Sequence, residues 1–81
     1  MVKIQTSEKF ERILDKLDNA LKIQIDKVLD RIIVNPEVGK PMRYDRKGTR
    51  ELYIRSYRLV YAFDKTTDTL FFLDFYHKDE Q

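Results

Sequence analysis

Cysteine and tryptophan are absent from this 81-residue chain, which has one histidine, two glycines and two prolines. Without cysteine the chain can form neither a disulfide nor a thiolate metal site, and a single histidine leaves no zinc ligand set. Two glycines cannot build the glycine-rich loop of nucleotide-binding proteins. The only serines, Ser7 and Ser56, do not lie in a nucleophile elbow. The familiar enzyme motifs are therefore missing.

Long apolar runs are also missing. No stretch approaches the ~20 residues that a membrane helix needs, and the N-terminus lacks the apolar segment of a signal peptide. The lack of cysteine fits a reducing cytoplasm. A chain of this length allows one domain, which buries roughly 60% of its unfolded surface and so has a thin core. We expect a single cytoplasmic domain over residues 1–81 that does not contact a membrane.

Charge is present in both signs but is unevenly distributed. The net charge is +2. Residues 40–58 contain seven basic and two acidic residues, a net charge of +5, so the rest, with nine basic and twelve acidic residues, carries −3. A basic middle indicates an anionic partner bound at one place, although a solvated basic loop is the alternative. The basic residues are Lys40, Arg43, Arg46, Lys47, Arg50, Arg55 and Arg58.

The first half of the chain predicts one strand and two helices. Residues 2–5 alternate between apolar and polar, as in a short strand. Thr6 or Ser7 can cap a first helix, and Asp18 or Asn19 can cap a second over residues 20–34, which Asn35-Pro36 ends. The short connection predicts an antiparallel helix hairpin. The apolar stripe of the first helix comprises Phe10, Ile13, Leu14 and Leu17.

The second half predicts a loop followed by three strands. Residues 36–49 hold both glycines and both prolines and form the loop. Residues 50–63 then form two strands that meet at a tight turn near Ser56, and residues 64–68 form a polar turn. The last strand, residues 69–76, is almost continuously apolar, which indicates a central position. We therefore expect an α+β fold: an N-terminal strand, a two-helix hairpin and three antiparallel strands in one sheet packed on the helices.

The alternation within these strands predicts a covered and an open face of the sheet. Tyr57, Leu59, Tyr61 and Phe63 form one apolar row, so helices that cover this row leave Arg58 on the open face. Parity places Glu51, Tyr53 and Arg55 there too. Guanidinium groups fit phosphates and a tyrosine ring can stack on a base, so this face suits an RNA backbone. The alternative for Arg58 is a solvated or salt-bridged strand residue.

His77 is the one side chain whose ordinary pKa lies near neutrality, so it can give or take a proton there. A lone histidine near a terminus is more often an ordinary surface residue. If the last strand is central, His77 and Lys78 emerge close to the open face. The chemistry available to the chain is therefore a cationic sheet face with a polar tail beside it.

At this point the chain resembles toxins of the RelE/ParE superfamily of type II toxin–antitoxin systems. The resemblance implies a cytoplasmic toxin that an antitoxin protein wraps and neutralises. RelE-like members cleave mRNA in the ribosomal A site, whereas ParE-like members inhibit DNA gyrase and lack the nuclease residues. The matching segments are Asn35-Pro36-Glu37-Val38-Gly39-Lys40-Pro41, Arg50-Glu51-Leu52, Tyr57-Arg58-Leu59-Val60-Tyr61 and Tyr76-His77-Lys78.

The resemblance implies catalytic roles for three residues. Arg58 matches the arginine that holds the scissile phosphate, and His77 falls where a histidine acts as general acid. Lys78 falls near a basic residue that stabilises the phosphate. Two lysines of RelE-type nucleases are replaced here by Glu51 and Tyr53, and a tyrosine that some members carry beyond the last strand has no counterpart before Gln81. The candidate RNA-contacting residues are Arg43, Arg46, Lys47, Arg50, Tyr53 and Arg55.

Three functions follow as hypotheses. The favoured one is a ribosome-dependent mRNA endonuclease, whose partners are the antitoxin, the ribosome and mRNA. In this reaction the 2′-hydroxyl of the RNA attacks the neighbouring phosphate, so no metal or other cofactor is expected. Glu51 is the candidate general base, and a salt bridge to Arg50 or Arg55 is its alternative role. The other hypotheses are a gyrase inhibitor without nuclease activity and an inactive antitoxin-binding co-repressor.

Overall fold

The computed structural model describes residues 2–43 and 48–80 as one sheet with two helices packed against it. The strands lie in the order β1-β5-β4-β3-β2, with β1 parallel to β5 and all other neighbours antiparallel. This confirms the expected α+β class and the interior position of the last strand. The elements are β1 (Lys3–Thr6), α1 (Glu8–Asp15), α2 (Asn19–Val34), β2 (Lys40–Pro41), β3 (Arg50–Ile54), β4 (Tyr57–Asp64), β5 (Thr69–His77) and a final 3₁₀ turn (Lys78–Glu80).

Both helices begin at the predicted caps. The Ser7 hydroxyl accepts the backbone N–H of Phe10 at 3.0 Å, and the Asp18 carboxylate accepts that of Leu21 at 2.8 Å. Each such cap stabilises its helix by about 1 kcal/mol. The longer helix, α2, has 16 residues. Neither helix of the described chain is long and apolar enough to span a bilayer.

The core lies between the helices and one face of the sheet. The fully buried aromatic rings come from α1, β4 and β5, namely Phe10, Tyr61 and Phe72. Full burial of an apolar side chain contributes roughly 1.5–3 kcal/mol. The predicted apolar row of β4 is confirmed, since Leu59 and Tyr61 are buried in this core. The rest of the buried cluster is Leu21, Ile25, Ile32, Ile54, Leu70 and Phe75.

Two parts of the sheet differ from the sequence-based expectation. The expected loop contains a two-residue strand, β2, whose Lys40 and Pro41 pair with Glu51 and Arg50 of β3. Arg55, expected at the end of a strand, lies instead in the two-residue turn between β3 and β4 with a φ of 56°. The left-handed conformation reverses the chain within two residues, so Arg55 leaves the alternation of β3.

A buried clasp holds residues 36–39 against the sheet. The hydroxyl of Tyr61 accepts the Gly39 N–H and donates to the Pro36 carbonyl, both at 2.8 Å. Burial raises the pKa of Tyr61 above its ordinary value. One guanidinium nitrogen of Arg50 donates to the carbonyls of Glu37 and Gly39 at 3.0 and 2.8 Å. The clasp therefore fixes the start of the basic loop.

Candidate functional site

Arg58 projects from the open face of the sheet, as its place in the β4 alternation predicts. It is paired across the sheet with Tyr53 of β3 and with Tyr76 of β5. Directly paired residues share a face. The Arg58 guanidinium carbon lies 5.0 Å from the centroid of the Tyr53 ring, within cation–π range. About a quarter of the Arg58 side chain is exposed to solvent.

Glu51 is the buried member of the same group. Only 8% of the residue is exposed, and its Oε2 lies 4.0 Å from Nη1 of Arg58. The Tyr53 hydroxyl donates to the other oxygen, Oε1, at 3.2 Å. Oε2 itself has no hydrogen-bond partner within the described chain. Glu51 thus forms its ion pair with Arg58. The alternative expectation, a salt bridge from Glu51 to Arg50 or Arg55, is wrong. We call Glu51, Tyr53 and Arg58 the Arg58 cluster.

A cavity of about 260 Å³ opens beside this cluster, and three of its six lining residues are basic. Lys78 reaches it because the 3₁₀ turn is fixed by a 2.8 Å hydrogen bond from the Lys78 N–H to the Ser56 carbonyl. Three cations around one cavity, with an aromatic ring at its wall, suit a phosphate that carries a base. The lining residues are Tyr53, Arg55, Ser56, Tyr57, Arg58 and Lys78.

His77 lies on the other face of the sheet. It is paired with Tyr57, which belongs to the covered row, and the two rings meet edge to face at 5.2 Å. Tyr57 in turn stacks at 4.9 Å on the buried Phe75. The Nδ1 of His77 accepts the backbone N–H of Asp79 at 3.2 Å. The expected meeting of His77 and Arg58 on one face is therefore wrong, although Lys78 does reach the cavity.

A β-bulge explains this reversal. The pairing of β4 with β5 shifts by one residue between Val60 and Tyr61, where Val60 faces Asp74 but Tyr61 faces Phe72. A shift of one residue exchanges the two faces of a strand. Without it, His77 would share the face of Arg58. With it, Tyr76 takes that place, and no local sequence signal marks a bulge at this point.

The remaining candidate RNA contacts lie elsewhere. Arg50 pairs with Tyr61 on the covered face, and one guanidinium nitrogen donates to the loop carbonyls, so it lies apart from the Arg58 cluster. Arg43 is exposed beyond β2, at the far end of β3 from Tyr53. Arg46 and Lys47 lie outside the described residues. In the part of the chain that the structure describes, no three histidine, aspartate or glutamate residues are grouped to hold a metal ion.

Comparison with protein families gives the assignment. The family model described as the ParE toxin of type II toxin–antitoxin systems matches residues 4–81. The chain belongs to the ParE toxin family. The family match also confirms the resemblance to the RelE/ParE superfamily drawn from the sequence motifs. No curated protein sequence matches the chain.

Solved structures of RelE and ParE toxins share this toxin's fold. The toxin–antitoxin complex RelBE2 from Mycobacterium tuberculosis contains a chain with a TM-score of 0.83 and 26% identity, with 94% of this chain and 96% of that chain covered. A YoeB/ParE toxin from Agrobacterium tumefaciens gives 0.84 at 14% identity, with coverage of 94% and 98%. The intact E. coli RelBE toxin–antitoxin complex gives 0.82 at 19% identity, with coverage of 95% and 96%.

Proposed function

We propose that this ParE-family toxin is an mRNA endonuclease that acts on translated messages. The observation that carries the proposal is the cavity of about 260 Å³ beside the Arg58 cluster, whose lining includes the cations Arg55, Arg58 and Lys78 together with Tyr53. A phosphodiester placed there meets fixed positive charge, and the base next to it can stack on the exposed tyrosine ring. The ribosome and its mRNA are the proposed partners.

The reaction needs few protein groups. The substrate's 2′-hydroxyl oxygen attacks the adjacent phosphorus as its proton passes to water, the bond from phosphorus to the 5′-oxygen breaks, and a 2′,3′-cyclic phosphate and a 5′-hydroxyl result. Arg58 and Lys78 stabilise the extra negative charge of the transition state. The departing 5′-oxygen must gain a proton. Tyr76, paired with Arg58, is the proposed donor, because the strand register puts His77 on the opposite face.

Primer extension on mRNA from a cell-free translation reaction tests this proposal. The intact protein is expected to create new transcript ends, and Arg58→Ala to reduce cleavage by ~10²-fold or more. Tyr76→Phe should lower cleavage by roughly 10²-fold or more, while His77→Gln should retain it. Unchanged transcripts would reject the nuclease. Loss of activity in His77→Gln but not in Tyr76→Phe would reject the assignment of the proton donor.

Gyrase inhibition is the second candidate, and the position of His77 favours it. A toxin whose imidazole packs against Tyr57 lacks one of the nuclease groups implied by the superfamily. A supercoiling assay with purified gyrase separates the two functions: inhibition at micromolar toxin with intact transcripts would replace the nuclease proposal. If neither target is affected and overexpression is harmless, the remaining function is that of an antitoxin-binding co-repressor.

The proposed protein partner is a cognate antitoxin, as in the RelBE complexes of known structure. An exposed apolar surface is available for it at the C-terminal end of α2. There a cavity of about 380 Å³ opens between Val34 and Val38. Val34 is 85% exposed, which is high for an aliphatic residue. Co-purification of the toxin with the product of the adjacent reading frame tests the partnership.

A further inference from the structure

Arg58 is not a free cation, and the charge that restrains it comes from the protein itself. The Glu51 carboxylate lies 4.0 Å from its guanidinium and is almost fully buried. Lys40, directly across from Glu51 on β2, is exposed and forms no ion pair with it in the described chain. Arg58 is thus the one cation that the structure pairs with this carboxylate among the described residues.

The geometry of the carboxylate indicates an incomplete interaction. Its Oε1 receives the Tyr53 hydroxyl at 3.2 Å, whereas its Oε2 is buried without a hydrogen-bond partner in the described chain. At 4.0 Å the Oε2 attracts the guanidinium without a hydrogen bond to it. A buried carboxylate with an unmatched oxygen gains from any approach of Arg58. The pull on Arg58 is therefore directed along the open face toward Glu51, which does not line the cavity.

We propose that Glu51 is an internal counter-ion of Arg58 that a bound phosphate must displace. This inference rests on the proposed function, because it assumes that the cavity takes RNA phosphates. Glu51 neutralises one of the three cavity cations, Arg55, Arg58 and Lys78, so the empty site carries a smaller charge than its lining provides. The carboxylate weakens binding of stray anions, and it keeps the guanidinium ordered beside the Tyr53 ring. Glu51 acts through Arg58 and is therefore a positioning residue.

The charge-removing variant Glu51→Gln separates this role from a purely structural one. Glutamine keeps the size of the side chain and an oxygen that can accept the Tyr53 hydroxyl, but it removes the charge. We expect a short fluorescent 2′-O-methyl RNA, which cannot be cleaved, to bind Glu51→Gln about tenfold more tightly at low salt. The plot of log affinity against log salt should steepen by up to about 0.7, because one more cation engages a phosphate.

Two further variants complete the test. Asp68→Asn removes one negative charge in the distant turn between β4 and β5, where asparagine tolerates the left-handed φ of 52°, and should leave binding unchanged. In an Arg58→Ala background, Glu51→Gln should bring no gain, because the counter-ion acts only through Arg58. Circular dichroism checks the fold. If Glu51→Gln does not fold, Glu51→Asp is the substitute. Its shorter side chain moves the carboxylate away from Arg58, so RNA affinity should rise by less than about tenfold.

The outcomes test the counter-ion role of Glu51 separately from the proposed RNA-binding role of the cavity. Tighter binding by Glu51→Gln, abolished by Arg58→Ala, supports the counter-ion. Equal or weaker binding by Glu51→Gln, with binding still lost in Arg58→Ala, overturns the counter-ion and leaves the RNA site in place. Equal binding by the wild type and Arg58→Ala overturns both, since the cavity would then not be the anion site.

Discussion

Substitution of Tyr61 by phenylalanine removes one oxygen from the interior and should destabilise the fold strongly. That oxygen makes two hydrogen bonds of 2.8 Å, one from the Gly39 N–H and one to the Pro36 carbonyl. The side chain is fully buried, so water does not replace the lost partner without rearrangement. Each buried group left unpaired costs roughly 1–3 kcal/mol, so we expect a loss of about 2–4 kcal/mol of unfolding free energy.

Thermal and urea denaturation measure this loss. For a domain of this size, each kcal/mol lowers the melting temperature by roughly 4–8 °C, so the expected drop is about 8–32 °C. Tyr57→Phe is the matched control. Its ring packs on Phe75 and its hydroxyl makes no hydrogen bond within the described chain, so it should change stability by less than about 0.5 kcal/mol. A Tyr61→Phe protein as stable as this control would refute the reasoning.

The buried hydroxyl of Tyr61 also predicts that folding stability falls at alkaline pH. Burial raises the pKa of Tyr61 above its ordinary value of 10.0. Between the ordinary and the raised value the folded state binds more protons than the unfolded state, so stability falls as pH rises. The stabilisation that the protonated Tyr61 hydroxyl provides is complete below about pH 10 and is lost as the pH rises through the raised pKa. Phenylalanine cannot ionise, so the stability gap between wild type and Tyr61→Phe should narrow above pH 10.

Three further substitutions have expected outcomes. Gly39→Ala places a Cβ 2.6 Å from the Tyr61 hydroxyl oxygen and should cost about 1–3 kcal/mol in urea denaturation; an unchanged midpoint would contradict the close packing. Arg55→Gly relieves the left-handed φ of 56° and should stabilise the protein by about 0.5–1 kcal/mol, unless that turn is unstrained. Val34→Glu changes an 85% exposed residue, so it should leave the melting temperature unchanged yet weaken antitoxin binding in titration calorimetry; full affinity would place the antitoxin elsewhere.

Local signals in the sequence were sufficient for both helices and for the four longer strands. Ser7 and Asp18 mark the starts of the helices because their side chains accept hydrogen bonds from free N–H groups of the first turn. Such a bond joins residues only three apart, so it can be predicted from the local sequence. The alternation around Leu59 and Tyr61 likewise reports which face of β4 is buried. The two-residue strand β2 has no such signal. It exists because the Tyr61 clasp holds the loop beside β3, which depends on contacts across 22 residues.

The candidate site was predictable only in part, for the same reason. Arg58 and Lys78 both line the cavity, as the expected interior position of the last strand suggested. The face of His77 depends on the register between β4 and β5, and one bulge next to Val60 reverses it. The burial of Glu51 against Arg58 is likewise a property of paired strands. Periodicity within one strand cannot reveal how two strands are aligned.

The parallel pairing of β1 with β5 has a consequence for folding of the toxin. Both helices and three strands separate the two partners along the chain, and the hydrogen bond from Ser7 to Leu73 joins positions 66 residues apart. Contacts of such long range form late in folding. The β3–β4 and β4–β5 hairpins can therefore form from local contacts before β1 docks beside β5, and the five-stranded sheet is completed last.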